Sequence, residues 1–170
     1  PEDLIMLYYS GHGYEDAFLP IDFNGFQNTL FHKEIINILE RSPAKYKLCI
    51  ADASYSGGLL AAKGRTPSQL TQDLYDRLAQ AAPGTALIMS SKSNETSLEA
   101  KGRRQGVFSH YRIRGLKGEA DQNRDRYVDI SELFQFVSKN VQNYTGSKQS
   151  PMIEGDYDRQ KVYNEDPLEV

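Results

Sequence analysis

Two short loop sequences constrain this chain more than anything else in it: Tyr9-Ser10-Gly11-His12-Gly13 and Asp52-Ala53-Ser54-Tyr55-Ser56-Gly57-Gly58. Each follows a short apolar run, Leu4-Ile5-Met6-Leu7-Tyr8 in the first case and Tyr46-Lys47-Leu48-Cys49-Ile50-Ala51 in the second. Such runs read as buried strands. Parallel pairing would carry both loops to one edge of a sheet, at the carboxyl ends of the strands, where open α/β sheets place their sites. His12, a candidate acid/base, would then lie beside Ser54, a candidate nucleophile position.

The rest of the pattern fits one α/β unit. The first strand is expected over 3–9. The stretch 14–28, with Pro20, Asp22, Asn24 and Gly25, reads as a loop. A helix is predicted over 30–40, with Ile35, Ile38 and Leu39 on one face and Pro43 marking its end. The second strand covers 46–51, and a Gly- and Lys-containing flexible loop covers 57–66. Thr66 and Pro67 suit a helix cap and first position, and that helix would run to about 82, where Pro83-Gly84 stops it. A third buried strand is expected over 85–91 and a polar surface loop over 92–105. Helices follow over 107–116, with Phe108, Tyr111 and Leu116 inward, and over 130–141, through Leu133, Phe134, Val137 and Val141. Pro151-Met152-Ile153 and Lys161-Val162-Tyr163 suggest a turn and a short last strand. Strands alternating with helices imply an α/β sandwich with a largely parallel sheet.

Composition narrows the function classes. At 170 residues and 39% hydrophobic content the chain can build one domain around one core. A net charge of -3 gives no electrostatic reason to expect a nucleic acid or an anionic membrane as partner. No apolar stretch approaches the length of a spanning helix. The single Cys excludes an internal disulfide and fits a reducing compartment, so the cytoplasm is the default expectation.

Together the two loops closely resemble those of the caspase-like cysteine peptidases, especially the metacaspase and bacterial orthocaspase branch. Those proteins carry Ser-Gly-His-Gly in the first loop and Asp-x-Cys-x-Ser-Gly in the second. This chain has Ser10-Gly11-His12-Gly13 and Asp52-Ala53-Ser54-Tyr55-Ser56-Gly57, a match broken only where Ser54 replaces the nucleophilic Cys. The interval from His12 to Ser54 falls near the roughly 50 residues between His and Cys in caspases. Gly106-Val107-Phe108-Ser109, Gly118-Glu119-Ala120-Asp121 and Ser150-Pro151 look like segments of bacterial caspase-like domains, though they are less specific. The resemblance thus covers most of the chain. It implies a single caspase-like three-layer sandwich. About 1–66 would be the large-subunit-like part, and about 67–170 the remainder with the small-subunit-like part. It also implies that the first strands of the sheet precede Pro1, so that an N-terminal fragment could act as a second chain.

The resemblance assigns roles. His12 would protonate the leaving amine, and the backbone N–H groups of Gly13 and residue 54 would receive the oxyanion. Asp52 would line the pocket for a substrate Arg or Lys through a charge-assisted pair, with Asp22 a weaker second member. The partner implied is therefore a protein or peptide with a basic residue before the cut. Blander readings stand beside these: His12 as a strand-end residue capped by its own loop, and Asp52 as a turn cap. Tyr55 departs from the His frequent beside the metacaspase nucleophile.

Ser54 decides activity. A hydroxyl has a far higher pKa than a thiol, and a site tuned to a thiolate does little for it. The chain as written is expected to be inactive or nearly so. An introduced Cys-to-Ser change is the favoured origin, a natural pseudopeptidase with a binding role the second, and a working serine peptidase the third. A serine hydrolase elbow would read Gly-x-Ser-x-Gly, which this chain lacks at Ser54. Cys49 lies mid-strand and reads as a small buried hydrophobe.

One further motif could bind Ca²⁺. Asp121, Asn123, Asp125, Asp129 and Glu132 occupy positions 1, 3, 5, 9 and 12 of an EF-hand loop. Against this, Arg126 takes the place of the turn glycine, and Lys117-Gly118-Glu119 is a poor end for an entering helix. Asp129 as a helix cap explains part of the pattern without metal. The chemistry itself needs no cofactor. His32 and His110 read as packing or surface residues. Arg103-Arg104, Lys63 and Arg65 are candidate self-processing sites.

Overall fold

Leu48 and Ile50 bury on one side of their strand, while Cys49, Ala51 and Ala53 bury on the other. A strand apolar on both faces must lie inside a sheet covered twice. The computed structural model describes residues 3–14, 17–55, 84–92, 95, 106–155 and 161–164, and it has this layout. Strand β4 (Tyr46–Tyr55) lies between β1 (Leu4–Tyr14) and β5 (Thr85–Met89), parallel to both. Short antiparallel strands extend the sheet, β2 (Ala17–Leu19) and β3 (Leu30–Phe31) beyond β1 and β7 (Met152–Gly155) beyond β5. The order across the six strands is β3-β2-β1-β4-β5-β7.

Helices cover the two faces. Helix α1 (His32–Arg41) buries Ile35, Ile36 and Leu39 against Phe18, Cys49, Ala51, Leu87 and Met89. On the opposite face α2 (Val107–Arg114) and α3 (Ile130–Thr145) bury Val107, Phe108, Leu133, Val137 and Val141 against Leu48, Ile50, Ala86 and Ile88. The result is the expected three-layer α/β sandwich. A separate two-stranded antiparallel sheet joins β6 (Tyr127–Asp129) to β8 (Lys161–Asn164).

Several expected boundaries move. The first strand does not stop at residue 9, nor the second at 51. Both continue through the supposed loops, because the parallel ladder pairs the two backbones as far as Gly13 and Tyr55, with alternate residues of each strand bonding across. The 14–28 loop contains β2, whose pairing of Leu19 with His12 folds the chain back along β1. The helix expected to end at 116 passes into a π turn over Gly115–Glu119, closed by an Arg114 to Glu119 ion pair. Helix α3 runs on to Thr145, whose hydroxyl donates to the Val141 carbonyl at 2.8 Å. The proposed 57–66 loop, the helix from Thr66 to about 82, and Gly57, Gly58, Lys63, Arg65, Arg103 and Arg104 lie outside the described residues.

Candidate active site

The β1–β4 register brings the two motifs together. His12 is the direct Cα partner of Ser54, and Ser10 that of Asp52. Partners across a parallel pair share a face, and side chains alternate along each strand. Tyr8, Ser10 and His12 of β1 therefore lie on the same face of the sheet as Ile50 and Asp52 of β4, side by side with them. His12 and Ser10 are exposed; Gly13, flanked by Phe18 and Tyr55, is buried. The motif residues stand inside extended strands rather than on free loops, a more rigid support for a site.

The opposite face of β1 fixes the His12 backbone. The Tyr9 ring stacks on Phe18 with centroids 4.2 Å apart and planes 14° apart. Its hydroxyl lies 2.8 Å from the His12 carbonyl and 2.8 Å from the Leu19 carbonyl, sharing its proton between the two strands. Burial pushes the Tyr9 phenol above its ordinary pKa, so it remains a donor. Gly11 is required by this contact: a Cβ there would sit 2.5 Å from the Tyr9 hydroxyl oxygen. A cavity of about 620 Å³ opens beside His12, with Leu19, Pro20, Ile21 and Phe23 along its other side.

Asp52 is 7% exposed and is not a turn cap. Its Oδ2 accepts a 2.6 Å hydrogen bond from the Ser109 hydroxyl, which α2 carries down onto the sheet. Ser109 has one proton, committed to the carboxylate, so the 2.8 Å contact with the Tyr8 hydroxyl has Tyr8 as donor. The Arg112 guanidinium, one turn further along α2, lies over the Tyr8 ring at 4.1 Å from its centroid. Tyr8, Ser109 and Asp52 thus form a directed chain between the two halves of the sequence.

Among the described residues no contact brings Asp22 to Asp52. Asp22 is exposed on the turn closed by the Phe23 N–H to Pro20 carbonyl bond, and its backbone carbonyl accepts from the Asn28 side chain. Cys49 is buried, and desolvation pushes its thiol up to about 12, which suits a core residue and not a nucleophile. His32 is buried edge-on to Phe18, with ring centroids 4.7 Å apart, a packing role as expected.

The 121–132 segment adopts more of the EF-hand backbone than its sequence promised. Arg126 takes a left-handed φ of 68° where a glycine is usual, while the π turn ahead of the loop is broken at Gly118, whose φ is 104°, as expected of a poor entering helix end. Its side-chain oxygens, however, are spent on the loop itself. Asp121 and Asn123 accept from the Asp125 N–H, Asp121 also from Arg126, and Asp125 from Tyr127. Asp129 and Glu132 cap α3 reciprocally. Among the described residues no three His, Cys, Asp or Glu side chains converge to hold a metal ion. Asn123, Asp125, Asp129 and Glu132 nonetheless line a common cavity of about 480 Å³.

Tyr9, Tyr8, Ser109 and Arg112 were not singled out from the sequence. Ser109 belongs to the Gly106-Val107-Phe108-Ser109 segment, and its burial beside Phe108 on α2 is what marks it. Among the described residues no helix is long and apolar enough to cross a membrane.

A search of curated proteins finds no match to the chain. The family model described as Caspase domain matches residues 1–163, nearly the whole sequence and both motif-bearing strands. The chain belongs to the caspase-domain family.

Proposed function

We propose that this chain is an endopeptidase of the metacaspase and orthocaspase kind, cutting after Arg or Lys, and silenced by Ser54 at the nucleophile position. Family membership supports a caspase-like peptidase, cysteine-type in general. The finer reading rests on one observation: His12 is in direct register with Ser54 while Asp52, two residue pairs down the same ladder and on the same face, holds a buried carboxylate.

The chemistry follows from those positions. A thiolate at position 54 attacks the carbonyl carbon of the scissile bond. The oxyanion formed takes hydrogen bonds from the N–H groups of residue 54 and Gly13. His12 gives a proton to the amine as the C–N bond breaks, leaving a thioester that water hydrolyses. The Asp52 carboxylate pairs with the guanidinium or ammonium of the residue before the cut. With a Ser at 54 the first step lacks a preformed anion and stalls. Calcium is a condition to vary in assays, not a participant in these steps.

The reading is tested by digesting an unbiased peptide mixture with the Ser54→Cys protein and sequencing the products. Cuts after Arg and Lys are expected. Cuts after Asp would place the chain with the acid-selecting caspases instead. A folded protein that makes no cuts would favour a pseudopeptidase that acts by binding.

A further inference from the structure

The geometry points to Ser109 as the positioning residue that sets the Asp52 carboxylate for a basic side chain, with Tyr8 donating to Ser109 from behind. This rests on the proposal that Asp52 selects Arg or Lys. A carboxylate on Cβ turns about two torsions, and one at the end of a strand can swing between its neighbours. Here Oδ2 is held at 2.6 Å by a hydroxyl that is itself 7% exposed. A buried bond of that length to an anion is charge-assisted and directional. It fixes the carboxylate plane and leaves Oδ1, which receives no donor among the described residues, for an incoming cation.

The supporting group is a neutral hydroxyl. A Lys or Arg at 109 would pair with Asp52 and fill the place of the substrate cation. A Ser satisfies one oxygen and keeps the negative charge for the ligand. Tyr8 completes the chain: it gives its proton to Ser109 Oγ at 2.8 Å, which orients the Ser109 proton towards Asp52. Arg112, three residues on, holds the Tyr8 ring from above. Specificity would then depend on α2, a helix far from β4 in sequence, and not only on the residues flanking position 54.

The test uses binding, so it needs no restored nucleophile. The Ser54 protein is titrated calorimetrically with a short peptide ending in arginine amide and with the same peptide ending in norleucine amide. Asp52→Asn should abolish the preference for arginine. Ser109→Ala should weaken the arginine peptide about 10- to 100-fold, the worth of a hydrogen bond to a charged group, and barely change the norleucine peptide. Ser109→Thr, which keeps the hydroxyl, should restore most of the loss. If Ser109→Ala does not fold, Tyr8→Phe carries the test, with a smaller loss confined to the arginine peptide. Equal losses for both peptides, or no loss in Ser109→Ala or Tyr8→Phe while Asp52→Asn loses its preference, would overturn the role of Ser109 alone. No preference for arginine in the starting protein, or one that survives Asp52→Asn, would overturn the reading of Asp52 on which this depends.

Discussion

His12 and Ser54 are direct Cα partners across the parallel β1–β4 pair. The ladder that holds them begins at Leu4 and Tyr46, so the site is supported by the full length of both strands. A residue at 54 therefore has His12 as its neighbour on the adjacent strand.

Replacing His12 should show this. In a Ser54→Cys background, His12→Ala is expected to lower kcat for peptide cleavage by about 10²- to 10⁴-fold, the usual contribution of a positioned proton donor. Thermal stability should hardly change, because the His12 side chain is exposed. A variant that cleaves at the parent rate would remove His12 from the mechanism.

Tyr9 and Gly11 should behave as one unit. Gly11→Ala places a Cβ 2.5 Å from the Tyr9 hydroxyl oxygen, and overpacking of this kind typically costs about 1–3 kcal/mol. Tyr9→Phe removes the obstructing oxygen along with the bonds to the His12 and Leu19 carbonyls. The double variant should then be more stable than the sum of the two losses predicts, by about 0.5 kcal/mol or more. Urea denaturation of the four proteins measures this, and additive losses would contradict the contact.

Cys49 should be silent in the native protein. Its buried thiol, pushed up to about 12, stays protonated where an unfolded thiol, near 9, already ionises. The unfolded state therefore holds fewer protons above pH 9, and native stability should fall as pH rises from about 9 towards about 12. Below pH 9 the group contributes its full share. Cys49→Ala should flatten that part of the alkaline stability curve. Iodoacetamide at neutral pH should leave the Ser54 protein unlabelled and modify the Ser54→Cys protein once.

Helix α3 carries the strongest local signals in the second half of the chain. Asp129 accepts from the Glu132 N–H at 2.8 Å, and Gly146 ends the helix at φ 60° with open space around it. Asp129→Ala should cost about 1 kcal/mol by loss of the cap. Gly146→Ala should cost about 1–2 kcal/mol from the left-handed backbone alone. Guanidinium melts of both should keep the parent m-value. A cost near zero for Gly146→Ala would mean that the helix ends elsewhere.

Much of this could be read from the residues, for reasons that differ by element. The apolar runs at Leu4–Tyr8 and Leu48–Ala51 were legible as parallel strands, but only the second is buried on both faces; Met6 and Tyr8 of the first are 41% and 40% exposed. The ends of those strands were not. Ser10, Gly11, Ala53 and Ser54 have no strong strand preference, and only the partner ladder makes them extended. The short strands β2, β3 and β6 were missed because two or three residues carry no periodicity. Asp52 was recognisable from its motif, but its partner Ser109 lies 57 residues away on a helix with a weak amphipathic pattern. No local rule connects them. In the 121–132 segment the oxygens that the spacing marks as metal ligands also serve the turn and the α3 cap, a use that the spacing does not show.

The most direct test of the account is to restore the thiol. The Ser54 and Ser54→Cys proteins are compared on fluorogenic peptides ending in Arg, Lys or Asp, with and without calcium. The account predicts cleavage after Arg and Lys by the Ser54→Cys protein, none after Asp, and none by the Ser54 form. Cleavage by the Ser54 form at a comparable rate, or failure of a folded Ser54→Cys protein to cleave any of the peptides, would contradict it.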